Sequence, residues 1–144
     1  MKRIARSAIV EHSACEMYAL VDDIESYPRF MPWCTSAKVE ERTAEGVRAT
    51  LTVGIRGLRQ SFTTQNVNHA GESIEVRLVK GPFRRFAGNW RFTPLSDEAC
   101  RIEFGLEYEL AGTLAKMLGP LFDRIADTMV DAFTRRAAHI YGKS

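Results

Sequence analysis

Apolar and polar residues alternate with a period of two through most of the middle of the chain. In residues 47–55, for example, apolar side chains at every second position are separated mainly by arginine and threonine. Strands with one apolar and one polar face are typical of an antiparallel sheet that is buried on one side only. Together with less regular segments, the pattern predicts seven strands, at 3–10, 35–42, 47–55, 59–69, 74–78, 86–92 and 102–110.

Two short helical segments are predicted after the first strand. Ser13 and Glu16 match a capping box, in which each side chain accepts a hydrogen bond from an otherwise unpaired helix N–H. The apolar residues that follow recur at helical spacing to about Asp23, where this helix is expected to end. A second, shorter helical turn is predicted over 28–31, and Pro32 is expected to end it.

The period becomes helical from Thr113 to about Tyr141, where apolar residues form one wide stripe. Thr113 is predicted to cap this long helix. Pro120 is expected to kink the helix or to mark its start, because proline removes an internal hydrogen bond. The connections between the strands are short and contain glycine, so the second to seventh strands are expected to form a meander.

The predicted sheet is too wide for the one helix that has to cover it. Seven strands about 4.8 Å apart give a sheet roughly 29 Å wide, whereas a helix with its side chains is only about 10–12 Å across. The sheet is therefore expected to curl around the helix and the short helices to close one end. Such an α+β architecture leaves a hollow between sheet and helix, and an apolar lining would suit an apolar molecule.

Residues in the inward phase of the strands and the helix are expected to line this hollow, and none of them is charged. They are Leu51, Val53, Phe62, Val76, Leu78, Phe86, Trp90, Phe104, Leu106 and Tyr108 on the strands, with Leu118, Phe122, Ile125 and Met129 on the helix. Tyr108 is the one inward residue expected to offer a polar group, either to a ligand carbonyl or to backbone or water. The alternative is a packed core in which these side chains fill all the space.

Composition restricts the class of protein. The 144 residues fit a single domain over 1–144, and 20 basic against 18 acidic residues give a formal net charge of +2. This charge is too even for a protein whose main work is wrapping nucleic acid. No segment matches a secretory signal or the roughly 20 apolar residues that span a bilayer, so a soluble, cytoplasmic protein is expected.

Three cysteines, Cys15, Cys34 and Cys100, lie far apart in the sequence. Their odd number and spacing argue against a disulfide framework or a metal site and favour a reducing compartment. Cys34 and Cys100 are interpreted as small packing residues.

Three segments carry a resemblance to a known family. They are Tyr-Pro-Arg-Phe-Met-Pro-Trp-Cys at 27–34, Gly-Pro-Phe at 81–83 and Gly-Asn-Trp-Arg-Phe-Thr-Pro-Leu at 88–95. Together they resemble the START-like proteins of the polyketide cyclase/coenzyme-Q-binding group. The likeness runs nearly end to end and is strongest toward bacterial ribosome-association toxins and mitochondrial coenzyme-Q-binding proteins.

The resemblance implies a helix-grip fold, in which a curved antiparallel sheet wraps a long C-terminal helix around a lipid-accepting cavity. It implies binding of ubiquinone or another lipid in support of respiration, rather than catalysis, with no catalytic cofactor. The alternative that it implies is a toxin that binds the large ribosomal subunit and blocks subunit association. A cyclase or dehydratase is the third interpretation, and it would need a titratable residue facing the substrate.

Two further groups of candidate residues lie outside the predicted lining. Phe30, Pro32 and Trp33 are expected at the cavity mouth, either as a gate or lip in transient contact with the inner membrane or as a lid packed on the sheet edge. Phe83 is interpreted either as a ligand contact or as packing.

The densest basic cluster is interpreted as a solvated face, with lipid phosphate or ribosomal RNA as the alternative contact. It consists of Lys80, Arg84, Arg85 and Arg91.

Overall fold

One antiparallel sheet of seven strands wraps around a single long helix, as the alternation and the helical stripe predict. The computed structural model describes residues 1–55 and 57–142, without the side chains of 55 and 114–116. The strands are β1 (Lys2–Val10), β2 (Cys34–Arg42), β3 (Gly46–Ile55), β4 (Leu58–His69), β5 (Ser73–Lys80), β6 (Phe83–Ser96) and β7 (Ala99–Leu110). The helices are α1 (Ala14–Asp22), a 3-10 helix (Ile24–Arg29) and α2 (Leu114–Tyr141).

Neighbouring strands in the sequence are also neighbours in space from β2 to β7, so the predicted meander is confirmed. The strand order is β1-β7-β6-β5-β4-β3-β2, and every pairing is antiparallel. β6 is longer than predicted and continues past Pro94, where a bulge interrupts its pairing with β7. Proline donates no ladder hydrogen bond, which is why it is tolerated at such an irregularity.

The two short helical segments were predicted with different success. The capping box of α1 is confirmed: Ser13 Oγ accepts from the Glu16 amide at 3.1 Å, and Glu16 Oε1 accepts from the Ser13 amide at 3.0 Å. The second helical segment is also present, but it is a 3-10 helix over Ile24–Arg29 and therefore begins four residues before the turn expected over 28–31. Ile24 and Tyr27 are both buried, and their three-residue spacing places them on the same side of a 3-10 helix.

The start of α2 also differs from expectation. Thr113 occupies the N-cap position of α2, as predicted, but its side chain makes no capping hydrogen bond. Pro120 lies inside the helix and does not mark its start. At the other end Gly142 adopts a left-handed conformation with φ of 76°, which glycine takes without strain, and its amide donates to the Ala138 carbonyl at 3.0 Å.

An aromatic contact joins α2 to the sheet and to the 3-10 helix. Phe133 is fully buried, and its ring centre lies 5.4 Å from that of Tyr27, 5.5 Å from Phe30 and 5.2 Å from Trp90. All three pairs meet edge to face, the arrangement that aromatic rings prefer. The strands, the loop after the 3-10 helix and the long helix therefore share one core.

Ion pairs connect the other side of α2 to β1. Lys2 Nζ lies 3.6 Å from Asp123 Oδ2, and an Arg6 guanidinium nitrogen lies 2.5 Å from Asp127 Oδ1. These side chains are substantially exposed, so each pair stabilises the fold only slightly. Their main consequence is geometric, because they place the carboxylates of α2 on the side that faces β1.

Within the two described ranges, no helix combines the length and the apolarity needed to cross a bilayer.

The cysteines differ sharply in their surroundings. Cys34 and Cys100 are buried, whereas Cys15 is exposed. Burial disfavours the charged thiolate and raises the pKa of both Cys34 and Cys100 to about 11. The interpretation of these two residues as packing side chains agrees with their positions in the core.

We therefore expect one thiol of three to react quickly with a disulfide reagent such as DTNB under native conditions at pH 8. The raised pKa makes the thiolate populations of Cys34 and Cys100 roughly a hundredfold smaller than that of an ordinary thiol, and burial slows access further. The reaction is followed by absorbance before and after denaturation. A Cys15→Ser variant is the control and should show no fast phase. Rapid titration of two or three thiols in the native wild type would contradict the assignment.

Candidate functional site

A cavity of about 90 Å³ lies between the concave face of the sheet and α2. Ten residues of the predicted lining surround it, together with Trp33 from the predicted mouth, so the inward phase of the strands and the helix identifies about half of its wall. They are Trp33, Leu51, Phe62, Val76, Phe86, Trp90, Phe104, Leu106, Phe122, Ile125 and Met129. Whether these side chains bind a ligand stays a prediction.

An aromatic cluster around Phe83 fills part of the hollow at one end. Phe83 packs against Phe62, Phe86 and Phe122, with ring centres 5.8, 5.0 and 4.9 Å away. This aromatic cluster occupies the space that the curvature of the sheet would otherwise leave open. Four residues of the predicted lining lie outside the cavity wall, namely Val53, Leu78, Tyr108 and Leu118, and so does Phe83.

The hydroxyl of Tyr108 turns toward α2 and donates a hydrogen bond to the Asp123 carboxylate. Burial and this acceptor both raise the pKa of Tyr108, so the phenol stays protonated at neutral pH. The expectation that Tyr108 supplies the polar group of the cavity is therefore wrong. The reason is that Asp123, on α2, accepts the hydrogen bond of Tyr108, and alternation along β7 gives no information about residues on another element.

Eight residues of the wall were not predicted. Five of them share a strand face with a predicted neighbour, so the same alternation would have found them: Ala49, Thr64, Asn66, Ile74 and Gly88. The other three come from α1 and the 3-10 helix, and no local pattern places them there: Val21, Ile24 and Tyr27. The short helices thus contribute directly to the wall as well as closing one end.

Thr64 and Asn66 give the cavity one polar side. Both are buried, with 5% and 7% of their surface exposed, and they follow Phe62 on the inner face of β4. The Thr64 hydroxyl donates to Asn66 Oδ1 over 3.4 Å. Among the residues described, the Asn66 amide nitrogen has no acceptor. The cavity therefore offers a hydrogen-bond donor to any molecule inside it.

The rest of the wall is neutral. No acid, lysine, arginine or histidine occurs among the described wall residues. Tyr27 contributes the other hydroxyl, but this group donates to the Val21 carbonyl, and burial raises the pKa of Tyr27 well above its usual value. The arrangement suits an uncharged, mainly apolar molecule with one hydrogen-bond acceptor. It offers no group that exchanges protons near neutral pH.

The size of the cavity limits what fits without rearrangement. An apolar cavity of about 150 Å³ accommodates benzene, so about 90 Å³ is small even for an unsubstituted ring. Admission of a larger molecule requires wall side chains to move. Met129 is half-buried and unbranched, which makes it the most adaptable side chain in the wall.

A second concavity lies on the outer side of α2. This groove, of about 480 Å³, is called here the basic groove. One wall is formed by Arg29, Phe30, Pro32 and Trp33, and the other by Arg124, Thr128, Asp131, Ala132, Arg135, Arg136 and His139. Phe30 and Pro32, expected at the cavity mouth, lie in this groove, and Trp33 borders both the groove and the cavity.

The basic cluster predicted from the sequence lies on the outer face of the sheet. All four of its members are exposed: Lys80, Arg84, Arg85 and Arg91. Glutamates accompany them, since Arg84 lies 3.9 Å from the Glu109 carboxylate, and Glu109 and Glu103 stand opposite Arg85 and Arg91 in the β6–β7 register. The carboxylates partly neutralise this face.

Comparison with known proteins agrees with this architecture. Residues 10–134 match the family model described as "Polyketide cyclase / dehydrase and lipid transport". The chain is 44% identical over 142 residues to the ribosome association toxin RatA of Escherichia coli, covering 98% of this chain and 90% of that protein. It is 30% identical over 149 residues to the mitochondrial coenzyme Q-binding protein COQ10 homolog B of Xenopus laevis, covering 99% of this chain and 61% of that protein.

A START superfamily protein from Mycobacterium smegmatis has the same fold. Its structure superimposes with a TM-score of 0.78 at 22% identity, over 93% of this chain and 95% of that chain. The helix-grip arrangement expected from the sequence is therefore confirmed.

Proposed function

Because the chain belongs to the polyketide cyclase / dehydrase and lipid transport family, we propose that it binds an uncharged lipid, such as a polyprenyl quinone, in the cavity without transforming it. The observation that carries this proposal is an apolar cavity with a buried amide donor, Asn66, on its polar side. The relative named as a coenzyme Q-binding protein supports a quinone as the ligand. Support of ubiquinone function in respiration is the corresponding cellular role.

Apolar burial supplies the driving force for such binding. Each methylene group transferred from water into the wall contributes about 0.8 kcal/mol. The Asn66 amide adds orientation, because a carbonyl placed against it gains a hydrogen bond in a dry environment. A quinone has both parts, an apolar ring and carbonyl acceptors. Its polyprenyl tail exceeds the volume present, so binding is coupled to movement of the wall.

The chemistry of the wall supports binding over catalysis. A cyclase or dehydratase acts through a proton donor or acceptor that faces the substrate. Among the described wall residues, Tyr27 is the only ionisable side chain, and its hydroxyl is already bonded to the Val21 carbonyl. The family description includes such enzymes, but this wall supplies none of their acid–base groups.

Ala49→Leu is expected to block the cavity, because it adds three carbon atoms at a buried wall position. Binding of decylubiquinone should weaken by at least roughly tenfold, since the ligand and the new side chain compete for the same space. Quenching of tryptophan fluorescence measures the affinity for decylubiquinone, because Trp33 and Trp90 both border the cavity.

Ala87→Leu makes the same change at an exposed position on β6 and serves as the matched control. It should bind as the wild type does. Native mass spectrometry of gently purified protein should also detect a quinone or lipid with the wild type and none with Ala49→Leu. Wild-type protein that is always empty and shows no saturable quenching would contradict the proposal, as would equal binding by Ala49→Leu.

Asn66→Leu is expected to remove the donor while keeping a side chain of similar size. Affinity for tetramethylbenzoquinone should fall about fivefold, which corresponds to one hydrogen bond of ~1 kcal/mol. Affinity for tetramethylbenzene, which has the same ring and methyl groups but no carbonyl, should not fall. Competition against decylubiquinone measures both. An equal loss for the two molecules would show that Asn66 acts through the shape of the cavity and not through its amide.

We also propose a second function, association with the large ribosomal subunit that keeps it from joining the small subunit. The observation that favours it is the 44% identity with a protein named for ribosome association, which extends over 98% of this chain. The two functions are compatible, because the first uses the interior and the second the surface.

Overproduction of the wild-type chain in Escherichia coli should lower the fraction of 70S ribosomes and raise that of free subunits. Sucrose-gradient profiles measure both fractions. The Ala49→Leu variant, in which the cavity is blocked, should produce the same shift if the effect depends only on the surface of the protein. Profiles identical to those of cells carrying an empty vector would remove the second function and leave the first untouched.

A further inference from the structure

The basic groove has two walls that come from distant parts of the sequence. One wall is the segment from Arg29 to Trp33, which follows the 3-10 helix, and the other is the outer side of α2. On α2 the groove residues recur at helical spacing, at 124, 128, 131, 135 and 139. With a rise of 1.5 Å per residue, this stripe is about 22 Å long.

Positive charge is concentrated in this groove. Four arginines and one histidine line it against a single carboxylate, Asp131, which already lies 3.1 Å from the Arg135 guanidinium. Within the described part of the chain, Arg29, Arg124 and Arg136 pair with no carboxylate. In a chain with a net charge of only +2, this one concavity thus brings together four arginines and one aspartate.

Two of the three aspartates of α2 lie away from the groove. Asp123 and Asp127 lie on the opposite side of the helix, where they face Lys2 and Arg6 of β1. The helix is therefore acidic toward the sheet edge and basic toward the groove. This separation contrasts with the outer face of the sheet, where glutamates stand opposite arginines.

One of the arginines is held in position. The guanidinium carbon of Arg136 lies 5.0 Å above the centre of the Phe30 ring, within the range of a cation–π contact. Phe30 itself packs edge to face on Tyr27 and Phe133 of the core. The cation is thus anchored before any partner arrives, which lowers the entropy lost on binding.

We propose that the basic groove binds the phosphate backbone of RNA, with Arg29 and Arg124 contacting phosphates from opposite walls. This inference rests on the second proposed function, ribosome association, and names the surface and the chemistry that carry it. Arginine binds phosphate oxygens through its planar fork of donors. A stripe of about 22 Å is long enough to follow several consecutive phosphates of one strand.

The shape of the groove favours a polynucleotide over an anionic bilayer. A bilayer is planar and needs exposed apolar side chains beside the cations in order to insert. Among the described residues, the large apolar side chains that are most exposed are Met1, Ile9, Val79, Leu95, Met117 and Ile140. Of the groove's own apolar side chains, Trp33 is buried, Phe30 and Ala132 are half-buried and Pro32 is exposed, so the groove lacks the broad exposed apolar rim that membranes bind.

The test compares two double variants that remove the same charge. Arg29→Gln/Arg124→Gln removes one cation from each wall of the groove, and Arg84→Gln/Arg85→Gln removes two cations from the outer face of the sheet. All four side chains are exposed, so both variants should fold, which circular dichroism verifies. The probe is a fluorescein-labelled 16-base-pair RNA duplex, and its affinity is measured by fluorescence anisotropy between 50 and 300 mM KCl.

The groove variant should lose on the order of 10–100-fold in affinity at about 0.1 M salt. The slope of log K against log salt should become less steep by about 2, because two phosphate contacts no longer release counterions. The sheet variant should stay within roughly twofold of the wild type. The inference is overturned if the groove variant binds like the wild type, or if both variants lose affinity equally. It is also overturned if the wild type binds vesicles containing phosphatidylserine but not the duplex.

Ribosome profiles separate this inference from the function on which it rests. If overproduced wild type shifts 70S ribosomes to free subunits and the groove variant does not, both stand. If the groove variant shifts them equally well, ribosome association stands and the groove assignment fails. If the wild type itself produces no shift, ribosome association fails, and RNA binding by the groove is judged by the anisotropy data alone.

Discussion

Apolar contact between a broad curved sheet and one narrower helix is the constraint on which the rest of this structure depends. A single helix cannot cover seven strands unless they curl, and curling leaves a volume that side chains fill unevenly. Phe83 and its aromatic neighbours fill one end, and Phe133 anchors the region where Tyr27 and Trp90 meet α2. The cavity is what remains between these two packed regions.

The same geometry separates charge from the interior. Inward positions of the strands are apolar except at Thr64 and Asn66, so the cavity is neutral with one polar side. Charged residues lie on the outside, and there they are arranged differently on each surface. Arginines and glutamates face each other across the outer sheet, whereas α2 carries Asp123 and Asp127 toward β1 and its arginines toward the basic groove. The molecule thus has a neutral cavity in its interior and a basic groove on its surface.

These two places meet at Trp33. Its side chain borders the cavity on one side and the basic groove on the other, and it is almost fully buried. The segment that contains it also provides Tyr27 to the cavity and Phe30 to the groove. The relatives differ in the same way, since one is named for ribosome association and another for coenzyme Q binding.

Local patterns in the sequence determined the strands, the capping box of α1, the long helix and ten residues of the cavity wall. They succeeded because alternation and helical spacing depend only on which face of an element is buried. Tertiary structure alone decided the volume of the cavity, the hydrogen bond from Tyr108 to Asp123, and the presence of Val21, Ile24 and Tyr27 in the cavity wall. It also placed Arg29 and Arg124 on opposite walls of one groove. Each of these depends on distances between elements far apart in the chain, and no local period records such distances.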